Sequence, residues 1–154
     1  MRPQVNTLWA ALSVEDRRRF VTRISRRWEV HRHRIAPRVS TEVHELMARG
    51  TLRLEAGADA SAFDAVVDCT GPRPAASTDW NPVVTELMAA GSARADALGI
   101  GLDVAPDGAV RDAAGGDSPL LFALGTVRRG SQWESTAIPE IRAHARTIAA
   151  ALSA

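Results

Sequence analysis

The chemistry open to this chain concentrates in two places where an apolar run ends at a glycine. The first is Val66-Val67-Asp68-Cys69-Thr70-Gly71-Pro72. The second is Leu121-Phe122-Ala123-Leu124-Gly125-Thr126, followed by a loop and a helix start at Trp133-Glu134-Ser135-Thr136-Ala137-Ile138-Pro139. A strand that stops at glycine lets the backbone approach a ligand closely, because no Cβ intervenes. A strand, a glycine-bearing loop and a helix N-terminus together make an anion site, with free amides and the helix dipole aimed at the ligand. In a parallel sheet such sites lie beyond the carboxyl ends of the strands. The pattern points to a sheet edge that holds a phosphate-bearing cofactor.

Residue types narrow the other chemistries. All 19 basic residues are Arg, and the absence of Lys excludes Schiff-base and phosphate-binding lysine mechanisms. Cys69 is the single cysteine, which excludes an internal disulfide and a thiolate zinc cluster. No Gly-x-Ser-x-Gly elbow occurs, and Ser131 has no neighbouring His in sequence, so acyl transfer is not supported. His31 and His33 fall about 200° apart on a helix and converge poorly as ligands, with His44 further on, so no metal site is expected. Glu134, at a helix start, reads as a cap or dipole partner rather than a base. Trp28 and Trp133 read as core or interface anchors, and Cys69 as a small buried hydrophobe within a strand. Eight of the eighteen residues from 17 to 34 are Arg. That run reads either as a grip on nucleic-acid phosphates or, the plainer reading, as a solvated face that meets acidic parts of the chain.

The elements that must position these residues follow from periodicity. Ser13-Val14-Glu15-Asp16 starts a helix, with Ser13 as N-cap and acids in the first turn. Phe20, Ile24, Trp28, His31 and Ile35 continue it as one apolar stripe, which Pro37 stops at about Ala36. Ser40 caps a short helix carrying Val43, Leu46 and Met47, closed by Gly50. Residues 51–55 alternate as a strand, and residues 63–70 read as a buried strand. Asn81-Pro82 opens a helix with Val83, Val84, Leu87 and Met88, stopped at Gly91. Segments 98–104 and 109–112 flank Pro106-Asp107-Gly108, a hairpin turn. Residues 120–124 form a second buried strand. A last helix spans about Thr136 to Leu152, with Ile138, Ile141, Ala145, Ile148 and Leu152 on one face.

At 154 residues, 45% of them hydrophobic, the chain is long enough for one ordinary domain with a core. No stretch approaches the roughly 18 apolar residues of a membrane span, and Met1–Asn6 carries no apolar signal core, so a cytoplasmic protein without membrane association is expected. Net charge is +1 but unevenly placed: residues 1–53 hold 12 Arg against 5 acids, a net of +7, and residues 54–154 hold 7 against 13, a net of −6. The division predicts an Arg-rich helical segment over 1–50 and a second part over 51–154, packed as one compact unit.

The ordered motifs Trp28-Glu29-Val30-His31-Arg32-His33-Arg34-Ile35-Ala36-Pro37, Asp68-Cys69-Thr70-Gly71-Pro72, Leu98-Gly99-Ile100-Gly101-Leu102-Asp103-Val104, Leu121-Phe122-Ala123-Leu124-Gly125 and Trp133-Glu134-Ser135-Thr136-Ala137-Ile138-Pro139-Glu140-Ile141-Arg142 resemble the C-terminal half of the FAD/NAD(P)-binding flavoprotein family. That family is related to glutathione-reductase-like oxidoreductases and flavin-dependent amine N-monooxygenases. The resemblance runs from about Leu8 to Leu152. It implies an α/β fold, a partial Rossmann-like FAD-binding sheet flanked by helices, with the Arg-rich N-terminal helix on the substrate side. It also implies FAD as cofactor, with NAD(P)H as hydride donor in an intact relative. Thr70, Gly71 and Pro72 would lie near the FAD, and Gly125 and Thr126 at the ribityl chain. Trp133, Glu134, Thr136 and Ile138 would approach the flavin ring. Hydride chemistry belongs to the cofactor, so no side chain is assigned a catalytic role.

The sequence departs from that family in four ways. No Gly-x-Gly-x-x-Gly occurs, and Gly99-Ile100-Gly101 lacks both the third glycine and the strand-to-helix setting. The nicotinamide fingerprint is also missing, and Thr126 stands where the family carries Asp. Only residues 56–62 separate the strands at 51–55 and 63–70. The expectation is a C-terminal fragment of an oxidoreductase that does not complete flavin catalysis alone. The alternatives are a partner module, completed by a separately encoded N-terminal flavoprotein half or by self-association, and an Arg-helix nucleic-acid-binding protein.

Overall fold

The computed structural model describes residues 2–69 and 81–153. The chain is a mixed helix and strand protein. Its contacts divide it into a larger unit, Met1–Phe20 with Pro72–Ala154, and a smaller one, Val21–Gly71. The Arg-rich segment 1–50 is thus shared between two units. No helix among the described residues is long and apolar enough to cross a membrane.

In the larger unit, α1 (Arg2–Ala11) precedes α2 (Val14–Arg19). Ser13 caps α2 as expected, its hydroxyl accepting from the Asp16 N–H at 3.1 Å. α5 (Pro82–Ala89) also starts where the sequence places it, with Asn81 Oδ1 accepting from the N–H groups of Val83 and Val84. It ends in a left-handed Gly91, whose N–H donates to the Met88 carbonyl while that of Ser92 donates to Leu87. This satisfies the last carbonyls of the helix.

The hairpin turn at Pro106-Asp107-Gly108 is also formed. Gly108 takes φ +103, its N–H donates to Ala105, and Ala105 donates in turn to Ala109. β1 (Ala109–Arg111) pairs antiparallel with β2 (Asp117–Phe122), making a two-stranded sheet. A chain of carboxylates and guanidinium groups pins this region: Arg94 to Asp103 at 2.6 Å, Arg111 to Asp103 at 3.1 Å, and Arg111 to Asp117 at 2.9 Å. The core lies beneath, where Ala93, Leu102, Val104, Val110 and Ala123 are buried and Val84, Leu87 and Met88 of α5 pack on them.

Two strand expectations are corrected here. Residues 120–124 are not a buried strand: β2 ends at Phe122, and Leu120 is 90% exposed. Of the expected Rossmann-like sheet, the described residues form only this antiparallel pair of strands. α6 (Ile138–Leu152) starts two residues later than predicted. Of its predicted stripe, Ile148 is buried, whereas Ile138 and Leu152 are exposed.

In the smaller unit, a π-helical turn (Phe20–Ile24) at its boundary leads into α3 (Ser25–Arg32). The wider turn breaks the 3.6-residue period on which the stripe from Phe20 to Ile35 depended. Ile24 and Ile35 are consequently exposed, and the helix stops at His33 rather than Ala36. α4 (Pro37–Ala48) opens with Pro37 in its first turn, not at Ser40, because proline there forfeits no intrahelical bond. Gly50 closes it at φ +70, with its N–H on Met47 and that of Thr51 on Leu46.

Residues 51–55 and 63–69, both predicted as strands, are irregular. With no neighbouring strand among the described residues, their amides have no ladder to join. Val66 and Val67 are 63% and 83% exposed, and Cys69 is exposed rather than buried. None of the described residues of this unit is buried.

Candidate functional site

The segment between β2 and α6 carries the second glycine-ended motif and several of the buried residues of the larger unit. Gly125 is buried at φ +78, a conformation an L side chain adopts only at a cost of roughly 1–2 kcal/mol. It turns the chain from β2 into a short 3-10 helix (Gly125–Arg128). The carbonyl of Arg128 then accepts from the N–H groups of Ser131 and Gln132, at 3.0 and 2.8 Å, and from the Ser131 hydroxyl at 3.0 Å.

α1 holds the loop from the other side. Trp9, 3% exposed, donates from Nε1 to the Gly130 carbonyl at 2.9 Å. Its ring lies 5.1 Å from Trp133 and 5.7 Å from Phe20, and Phe20 meets Trp133 edge-on at 4.9 Å. The Arg129 guanidinium stacks over Trp133 at 4.1 Å. Asn6 grips the backbone of Glu134 with both ends of its amide: Nδ2 donates to the carbonyl, and Oδ1 accepts from the N–H, each at 2.9 Å. Gly130 sits where a Cβ would strike the Asp96 carboxylate. Burial holds Asp96 above the usual carboxylate range, against the pull of the amides of residues 98 to 101.

A buried polar cluster lies inside this frame. Arg128 is 1% exposed, and its Nη2 donates to the carbonyls of Ala105 and Pro106 in the hairpin, each at 3.2 Å. Its Nε and Nη1 are buried with no acceptor among the described residues. Burial pulls the guanidinium's affinity for its proton down, opposed by Asp107. His144, on the core face of α6, is likewise buried, with Nδ1 unpartnered among the described residues. Burial and then the charge of Arg128 hold it below the usual imidazole range, while Glu140 one turn earlier pulls the other way. Ser135 Oγ, Gln132 Oε1 and Glu140 Oε2 are also buried without hydrogen-bond partners there.

The predicted site residues are placed as follows. Thr70, Gly71 and Pro72 lie outside the described residues. Gly125, Thr126, Trp133, Glu134, Thr136 and Ile138 do share one strand-to-helix connection, but on different sides of it. Trp133 and Glu134 are buried in the contacts with α1, Gly125 is buried and Thr126 half-buried, and Thr136 and Ile138 are exposed. Ala137, the N-cap of α6, supplies no side-chain cap.

Sequence reasoning missed Asn6, Trp9, Asp96, Arg128 and His144. His144 was legible, three residues after Ile141 and four before Ile148 on the same helical face. Arg128 carried no such signal, since an arginine beside a second one reads as surface.

In the smaller unit, His31 Nδ1 bonds the Arg27 carbonyl at 2.8 Å, and His33 Nδ1 meets Glu29 at 2.6 Å. A shallow hollow of about 670 Å³ lies between the end of α4 and residues 51–63, with Arg53, Glu55 and Phe63 on its walls. Comparison with protein-family models, with curated proteins and with solved structures finds no match for this chain.

Proposed function

We propose that this chain is the C-terminal part of an FAD/NAD(P)-dependent oxidoreductase, a module that holds flavin only when joined to a polypeptide carrying the Gly-rich dinucleotide-binding unit. The supporting observation is that the segments with strand-like sequences stand uncovered. Phe63, Val66 and Val67 are more than half exposed, as are Leu54 and, on β2, Leu120. Covering the four of them in the smaller unit, Leu54, Phe63, Val66 and Val67, supplies on the order of 4–8 kcal/mol of transfer free energy toward a partner sheet, before the cost of association.

In that assembly the contacts with α1 hold the backbone of the loop 125–138, while of the residues assigned there by resemblance Thr126, Thr136 and Ile138 keep side chains accessible to a cofactor. The lack of a Gly-x-Gly-x-x-Gly turn in these 154 residues supports the need for the second polypeptide.

The test is co-expression with a polypeptide bearing that turn, followed by visible absorbance and hydrogen exchange. The expected result is a yellow complex with the amides of residues 63–69 protected, whereas the chain alone stays colourless after incubation with FAD and desalting. One equivalent of flavin retained by the chain alone overturns the reading, and so does failure of the two polypeptides to co-purify.

A further inference from the structure

We propose that the arginine-bearing helical face of the smaller unit binds the phosphate backbone of duplex nucleic acid. Between Val21 and Ser40 there are six Arg against a single carboxylate, Glu29, and that carboxylate is engaged by His33 at 2.6 Å. Arg23, Arg26, Arg27, Arg34 and Arg38 are all exposed, and none makes an ion pair among the described residues. Arg26 and Arg27 lie in the first turn of α3, and Arg23 lies in the π-helical turn just before it. Arg34 and Arg38 follow on the α3–α4 connection and the first turn of α4. Like charges this close along the chain repel one another, and a polyanion removes that penalty.

Phosphate fits this surface better than the other anionic partners. The guanidinium fork matches two phosphate oxygens, and a helix about 10–12 Å across enters a major groove of about 12 Å. A helix that lies on a lipid surface needs a broad apolar face opposite its charges. In α3 the apolar residues are Trp28, half-buried, and Val30 alone.

The experiment is fluorescence anisotropy of a labelled random-sequence DNA duplex with the full chain, across a salt series. Five phosphate contacts give a slope of log affinity against log salt near −4.5, or about a 500-fold loss between 50 and 200 mM salt. The triple variant R23Q/R26Q/R27Q keeps good helix formers and is expected to lower the slope to about −1.8, or roughly a tenfold loss. Circular dichroism checks that its helix content is unchanged. R142Q/R146Q, which removes two exposed charges from α6, is expected to leave the slope unaltered. Absence of binding at 50 mM salt overturns the proposal. An unchanged slope in the triple variant, or preferential capture by phosphatidylserine vesicles, does the same.

Discussion

Arg128 offers the sharpest test of how this fold is balanced. Its guanidinium is almost wholly enclosed, yet two carbonyls are its only acceptors among the described residues. Replacing it by Met keeps an unbranched stem of similar length and removes the charge. The carbonyls lose little, because Ala105 still accepts from the Gly108 N–H at 3.0 Å and Pro106 is exposed to water. An uncompensated buried ion costs several kcal/mol, and exchanging buried ionic groups for apolar ones of similar volume is neutral to stabilising by about 1–4 kcal/mol.

We therefore expect R128M to stabilise the larger unit by about 2 kcal/mol, a rise in Tm of roughly 8–16 °C. The assay is urea unfolding followed by near-ultraviolet circular dichroism, to which the paired Trp9 and Trp133 rings contribute, with an unchanged m-value. R128A, which also opens a cavity, should fall below R128M by about 2–3 kcal/mol. Destabilisation of R128M by 2 kcal/mol or more, on the scale of breaking a satisfied buried charge pair, would refute the reasoning, since it would mean that the unused donors are engaged in solution.

Three further outcomes follow from the same packing. His144 is held below the usual imidazole range, so the folded chain refuses a proton that the unfolded chain accepts near pH 6.5; its contribution is full above that pH and lost below it. The stability gap favouring H144L over the unsubstituted chain should therefore widen as pH falls from about 7.5 to 5.5, by at most about 1.4 kcal/mol per pH unit, and a constant gap in urea midpoints would count against it. Trp9→Ala should cost about 3–5 kcal/mol in the same assay, while Trp9→Phe, which keeps a ring but orphans the Gly130 carbonyl, should cost about 1–3. Gly108→Ala should lower stability by roughly 2–4 kcal/mol, because the turn needs φ +103 and the new Cβ would sit 2.6 Å from Ile148 Cγ1.

What the sequence settled by itself is local. Ser13 and Asn81 announced their helices because a short side chain beside free amides has one favoured use. Gly50, Gly91 and Gly108 marked their turns because few other residues tolerate positive φ. The strand-loop-helix order from residue 117 to 152 was likewise legible. Tertiary structure decided everything that depended on a neighbour. Whether Phe63-Asp64-Ala65-Val66-Val67 pairs or stays open turns on a second strand, which no local pattern supplies. Trp133 and Glu134 face inward because Asn6 and Trp9, more than 120 positions away, meet them there. Arg128 is buried because the 105–106 carbonyls of the hairpin reach it, and a charge is placed by the groups that surround it rather than by its place in a run of residues.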